Sequence, residues 1–276
     1  MIGEQLKHFA RVIPPKAGFE LRERVALPGN RRFRRFLIVT PGRAGSQMLV
    51  QRCNSHQQVT CYGELFATEH INWQTCGRLE ADRRALATRN RDPLRFLARH
   101  VWHAQPAWIR ALGFKLTYAQ LLHTRAVLEP LIKVQPDLRI IWLERRNKFE
   151  MCLSHLISHA TNLYRLEIYD EARNLAPVTI DVEALERAIK LLEVAQHNIM
   201  QILDGSVCLP LLYEDLVAQP DRSNRTICEF LGVDDRPLTH TSKKQARGSL
   251  AERVTNFEEL REHCEGTRWE HCLTDA

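Results

Sequence analysis

Residues Phe36-Leu-Ile-Val-Thr-Pro-Gly-Arg-Ala-Gly-Ser46 constrain the fold of this chain more than any other stretch. Phe36 to Thr40 are apolar or β-branched and predict a buried strand. Pro41, Gly42 and Gly45 break it. From Ser46 the spacing of Met48, Leu49, Arg52 and Cys53 predicts a helix over Ser46–Asn54. A strand, a glycine-bearing turn and a helix start form a phosphate cradle, because the turn's N–H groups point inward and the helix N-terminus carries partial positive charge. The lysine-bearing triphosphate signature G-x-x-x-x-G-K-[ST] is absent. Arg43 stands inside the loop instead.

The remainder of the chain repeats the alternation of strand and helix. Short strands are expected at Val59–Cys61 and Gly113–Leu116, with stronger ones at Leu138–Leu143 and Val207–Leu212. Helical spacing covers roughly Leu79–Ala104, Tyr118–Val134, Asn147–Arg165, Val182–Leu203 and Asp221–Leu231. Strands separated by helices predict an α/β protein, with a central parallel sheet flanked by helices in three layers. Ligands in such sheets bind outside the carboxyl ends of the strands. Three chemically rich segments follow strand ends: Gly42–Ser46, Arg145–Ser154 and Tyr213–Asp215. The third also reads as a helix start with acids in its first turn.

Composition narrows the classes. A chain of 276 residues, 44% hydrophobic and 26% charged, can bury one sizeable core or two small ones. It has no run of about eighteen apolar residues, so no spanning helix is expected. The N-terminus lacks the apolar stretch of a secretory signal, which predicts a cytoplasmic protein. Residues 1–35 are expected to form a basic N-terminal extension and 36–276 the α/β domain. The net charge is +6. Much of it crowds at Arg31–Arg35, which reads as a solvated arm or as an attractor of an anionic ligand or peripheral membrane surface. No basic patch interleaved with aromatics supports a nucleic-acid partner. The eight cysteines include no C-x-x-C pair and are expected to be reduced and mostly buried. A metal at His263-Cys264 and His271-Cys272 is disfavoured.

The strand ending at Leu143 is followed by Glu144-Arg-Arg-Asn147. In a Mg²⁺-dependent phosphate enzyme an acid here would hold the ion. Arg145 and Arg146 suit an anion instead. Ser154 follows two to three helical turns later, so a strand-end arginine and a helical hydroxyl can hold one phosphate between them. Glu144 is expected to pair with one of the two arginines. The sequence thus offers two anion sites and no metal site.

Thr40-Pro-Gly-Arg-Ala-Gly-Ser46 resembles the 5′-phosphosulfate loop of sulfotransferases, and Arg146-Asn147 with Ser154 resembles their 3′-phosphate motif. Gly63-Glu-Leu-Phe66, Asn72-Trp73, Tyr213-Glu-Asp-Leu216, Lys244-Gln245 and Val254-Thr-Asn-Phe-Glu-Glu-Leu260 are similar to segments of bacterial carbohydrate sulfotransferases of the nodulation-factor and trehalose-glycolipid types. The resemblance covers most of residues 36–265. It implies a P-loop-like fold and 3′-phosphoadenosine 5′-phosphosulfate as co-substrate, with no metal and a carbohydrate or glycolipid acceptor. By resemblance Arg43, Ala44, Gly45 and Ser46 hold the 5′ end of the donor, Arg146 and Ser154 its 3′-phosphate, and Trp73 its adenine. Lys244 and Gln245 close over the nucleotide. Glu64 matches a general base, although its own context also suits a helix cap. Lys115 either meets the acceptor and the transferred group or borders the sheet with its head in water. The Pro41-Gly42 opening and Glu144 depart from the family pattern. The rival readings are a P-loop kinase and a non-enzymatic polyanion-binding protein. The sequence leaves room for an oligomer.

Overall fold

The computed structural model of the chain describes residues 30–73, 79–80, 83–118, 121–161, 176–241 and 249–273. Lys244 and Gln245 lie outside them, as do residues 1–29. Five parallel strands form the central sheet: β1 (Arg34–Thr40), β2 (Val59–Glu64), β5 (Ala111–Thr117), β6 (Arg139–Glu144) and β7 (Val207–Leu212), in the order β2-β5-β1-β6-β7. A two-stranded antiparallel ribbon, β3 (Ile71–Asn72) and β4 (Leu79–Glu80), stands apart. The strand β1 starts two residues before Phe36, because Arg34 and Arg35 already pair with Ala111 and Leu112 of β5.

Alternation along β1 sorts its side chains between two cores. Phe36 and Ile38 face helix α1 (Ser46–Ser55) and helix α8 (Pro220–Leu231), packing with Met48, Leu49, Ile141 and Ile227. Leu37 and Val39 face the other layer, with Phe114, Leu128 of helix α4 (Leu121–Val134) and Ile199 of helix α6 (Val182–Leu203). A third cluster joins helix α5 (Lys148–Thr161) to α6 and to the C-terminal helices α9 (Leu250–Arg253) and α10 (Phe257–Cys264). With both faces covered, the central strands read as unbroken apolar runs.

The topology fixes where a ligand can sit. From β1 the chain leaves through α1 toward β2, on one side. From β6 it leaves through α5 and α6 toward β7, on the other. The connections therefore part between the carboxyl ends of β1 and β6, which opens a crevice there. The basic run before Phe36 lies at the opposite end of β1. There Arg35 donates to Gln135 Oε1 at 2.6 Å and lies over the rings of Phe33 and Trp102.

The segment Leu79–Ala104 is not one helix. It divides into β4, helix α2 (Arg83–Arg91), helix α3 (Pro93–Phe96) and a single π-turn over Leu97–Val101. Pro93 has no N–H to continue α2. Asp92 restarts the helix by accepting from the Arg95 N–H at 3.0 Å.

Gly113, inside β5, has no room for a side chain: an added Cβ would fall 2.3 Å from the Phe36 carbonyl oxygen and 2.6 Å from the Phe36 ring. We expect Gly113→Ala to cost on the order of 1–3 kcal/mol. Urea unfolding checks this, as a lowered midpoint with an unchanged slope.

Candidate active site

The loop after β1 is held in an unusual backbone conformation. Arg43 has φ +67° and Gly45 has φ +76°. A left-handed residue with a side chain is uncommon and costs about 1–2 kcal/mol. The Arg43 guanidinium offsets that cost across the crevice: its Nε and one terminal nitrogen donate to Ser154 Oγ of α5, at 3.1 and 3.0 Å. Arg145 donates to the Arg43 carbonyl at 3.3 Å. Gly45 is needed for space as well as for φ, since a Cβ there would lie 2.4 Å from the Tyr213 ring. Ser46 is buried at the first turn of α1.

Arg145 occupies the middle of this group. Its side chain is 11% exposed, ion-paired with Glu150, and stacked 5.0 Å above the Tyr213 ring. Its Nε is buried and makes no hydrogen bond among the described residues. Tyr213 opens helix α7 (Tyr213–Ala218), so the third rich segment also reaches the crevice. The Glu214 carboxylate accepts from the backbone N–H of Arg146 at 3.1 Å. Burial, and then the neighbouring Arg145, hold the pKa of Arg43 below its ordinary value. Two guanidiniums crowded beside a helix N-terminus make a positive pole that an anion would relieve.

The paired arginines separate by direction. Arg145 turns inward, whereas Arg146 is 61% exposed and bonds Asp215 at 3.2 Å. In this arrangement Ser154 is the partner of Arg43, and the Arg146 head group lies over the acidic start of α7. Sequence reasoning favoured Arg146 over Arg145. The signal available was the period of two, which turns consecutive residues after a strand to opposite sides.

A second pole lies at the ends of β2 and β5. Register shifts between Tyr62 and Glu64, so that Glu64 rather than Gly63 stands opposite Lys115. This bulge brings the two side chains together. Lys115 Nζ lies 2.8 Å from Glu64 Oε1, with the lysine 7% and the glutamate 30% exposed. Glu64 therefore ends a strand and does not cap a helix. Beyond it the chain is fixed by Arg89 of α2, which is 1% exposed. Arg89 donates to the carbonyls of Leu65 (2.9 Å), Ala67 (2.7 Å) and His70 (3.1 Å). Sequence reasoning missed this residue, because nothing local distinguishes it from its exposed neighbours. Trp73 is buried among Tyr62 and Phe96, with ring centroids 5.4 and 6.0 Å away. That places it in the core cluster beside β2.

Glu144 does not pair with either arginine. Alternation sends it to the other face of the sheet, where it accepts from Tyr118 Oη and from Gln196 Nε2, the latter at 3.0 Å. Trp142 Nε1 donates to the same tyrosine oxygen. Burial raises the Glu144 pKa, against the lowering effect of its contacts with Tyr118 and Trp142 and of the nearby Lys148. Among the described residues no group of His, Cys, Asp or Glu could hold a metal ion. Seven cysteines are free thiols; Cys76 lies outside the described residues.

Two outcomes follow from these buried groups. Replacing Arg89 by Leu strips three carbonyls of their donor and should cost on the order of 3 kcal/mol in chemical denaturation. Glu144 binds a proton more readily folded than unfolded. Its contribution to stability is therefore complete below the ordinary carboxylate value, and is lost as pH rises from there through its raised pKa. Wild type should lose stability relative to Glu144→Gln across that window. A difference that stays flat with pH contradicts the assignment.

Comparison with known proteins identifies the family. The model of the sulfotransferase family matches residues 36–237. Nodulation protein H of Rhizobium meliloti is 26% identical over 235 residues, covering 83% of this chain and 91% of that protein. Nodulation protein H of Rhizobium tropici is 26% identical over 233 residues, covering 84% and 89%. A solved sulfotransferase from Alicyclobacillus acidocaldarius aligns with a TM-score of 0.47 at 18% identity, covering 87% of this chain and 92% of that one. The family match spans the loop after β1, both poles of the crevice and the central sheet from Phe36 onward, and the chain is an enzyme of the sulfotransferase family.

Proposed function

We propose that this sulfotransferase moves the sulfuryl group of 3′-phosphoadenosine 5′-phosphosulfate to a hydroxyl of a carbohydrate or glycolipid. The observation that carries the reading is the pairing of two unlike poles at neighbouring strand ends. One is cationic, built from Arg43, Arg145 and the N-terminus of α1. The other is the Glu64–Lys115 pair, which holds both a base and an acid. Sulfuryl transfer needs both: fixed positive charge where the leaving phosphate develops negative charge, and a base for the acceptor proton.

In this mechanism Arg43, the N–H groups of Ala44 and Gly45, and Ser46 hold the 5′-phosphosulfate. The buried, unpartnered Nε of Arg145 supports a place for that residue in the same anion site. Ser154 is available to the 3′-phosphate once it exchanges its bond from Arg43. Arg146 joins it by giving up an exposed ion pair, which costs under about 1 kcal/mol. Trp73 would meet adenine only by leaving its place against Tyr62 and Phe96. Lys244 and Gln245 remain candidates for closing over the nucleotide.

The acceptor hydroxyl attacks sulfur in line with the bridging oxygen. The new O–S bond forms as the bond to the leaving phosphate breaks, and Glu64 takes the hydroxyl proton. Beforehand Lys115 holds the Glu64 carboxylate in place. Once the proton has moved, the lysine loses its ionic partner and can face the charge on the leaving group. The carbohydrate class rests on the resemblance to nodulation-type enzymes, and the similarity to Nodulation protein H agrees with it. The kinase reading loses support. Arg43, not a lysine before Ser46, serves the loop, and the acid ending β6 points away from the crevice to Tyr118 and Gln196.

With labelled donor, chelator present and a panel of oligosaccharide and glycolipid acceptors, we expect turnover in the wild type. In Glu64→Gln it should fall by about 10²–10⁴-fold, with binding of adenosine 3′,5′-bisphosphate retained. Full turnover in that variant would remove Glu64 from the role of base.

A further inference from the structure

The arm formed by α2, α3 and the π-turn carries a dense run of arginines. Between positions 83 and 100 stand six arginines, Arg83, Arg84, Arg89, Arg91, Arg95 and Arg99, against one acid, Asp92. That net +5 compares with +6 for the whole chain. Arg89 is buried and holds the chain beyond Glu64. The other five are exposed.

Arg83 and Arg84 open α2, where the positive end of the helix disfavours cations, and no acid stands in that turn. Arg95 and Arg99 lie four apart on a helical turn, a repulsive spacing for like charges. Asp92 is already engaged in capping Arg95. Arg83, Arg91, Arg95 and Arg99 make no ion pair with any described residue, whereas several cations on the other helices do. Arg125 meets Glu129, Arg187 meets Glu183, Lys190 meets Glu186 and Arg261 meets Glu258. The five exposed arginines are spread over all three elements of the arm.

We propose that this arginine row docks an acidic glycan, the carboxylate- or phosphate-bearing chain that presents the acceptor hydroxyl to Glu64. Guanidiniums bind such groups in a planar, bidentate manner. The arm is placed for this, because Arg89 ties it to the carbonyls of Leu65, Ala67 and His70, directly after Glu64. A membrane surface fits less well: the arm's large apolar side chains, Leu86, Leu94, Phe96 and Leu97, pack into the core, leaving Ala87 and Ala98 as its exposed apolar residues. Nucleic acid lacks exposed aromatics on which to stack. The inference extends the acceptor side of the proposed function and rests on it for the role of Glu64, but its test does not depend on turnover.

The test is direct binding of labelled polygalacturonate at about 50 and about 200 mM salt, beside a neutral glucan, anionic phospholipid vesicles and a single-stranded oligonucleotide. Wild type should bind polygalacturonate and not the glucan, and should lose about tenfold or more in affinity at the higher salt. The triple variant Arg91→Gln, Arg95→Gln, Arg99→Gln keeps residues that favour helix. It should bind about tenfold more weakly while retaining thermal stabilisation by adenosine 3′,5′-bisphosphate. If the triple variant does not fold, each single variant should weaken binding about two- to threefold. No binding by wild type, undiminished binding by the variants, or tighter binding to vesicles or the oligonucleotide overturns the proposal. Absence of nucleotide stabilisation in wild type would instead count against the sulfuryl-donor reading and leave the glycan result standing.

Discussion

The bond from Arg43 across the crevice to Ser154 is the interaction on which the site depends. It joins the loop after β1 to the helix after β6, the two elements that the sheet topology parts. It also sustains a left-handed arginine, a conformation that the backbone alone disfavours. Arg145 binds the carbonyl of that same residue and rests on Tyr213, and Tyr213 in turn needs the bare Cα of Gly45. Loop, arginine and tyrosine thus form one closed set of contacts. A larger residue at Gly45 would disturb all of them.

The second pole shows how one extra residue can decide chemistry. Without the register shift after Tyr62, Gly63 would face Lys115 and no carboxylate would stand beside the ammonium. The bulge turns Glu64 toward Lys115, and Arg89 then fixes the chain beyond it through three backbone carbonyls. A buried guanidinium with carbonyl partners is costly to assemble and costly to break. Such an anchor holds the Glu64 carboxylate at a fixed place at the end of β2.

Much of the fold was legible because local signals agreed with tertiary ones. The helix Val182–Leu203 has its expected bounds: Asp181 caps it, accepting from Ala184, and its apolar spacing follows the helical period. The Gly42–Ser46 loop was legible because proline and glycine interrupt an apolar strand just before a helix. The segment Leu79–Ala104 misled, since alternating leucines and arginines imitate one amphipathic helix across a proline. Glu144 misled differently. Its neighbours in sequence are arginines, but its partners Tyr118 and Gln196 come from distant elements on the other face of the sheet. The role of Arg89 depends on burial created by packing, which no local pattern encodes, whereas for Arg145 the period of two after β6 was a usable signal.

The central claim is that Arg43 forms the anion pole of the donor site without help from a metal ion. Calorimetric titration of adenosine 3′,5′-bisphosphate into wild type and Arg43→Ala, in the presence of chelator, tests it most directly. The account predicts binding by wild type and a loss of about tenfold or more in the variant, the cost of one charge-assisted contact to phosphate. Equal affinity in the two proteins, or binding by wild type only when Mg²⁺ is restored, would contradict it.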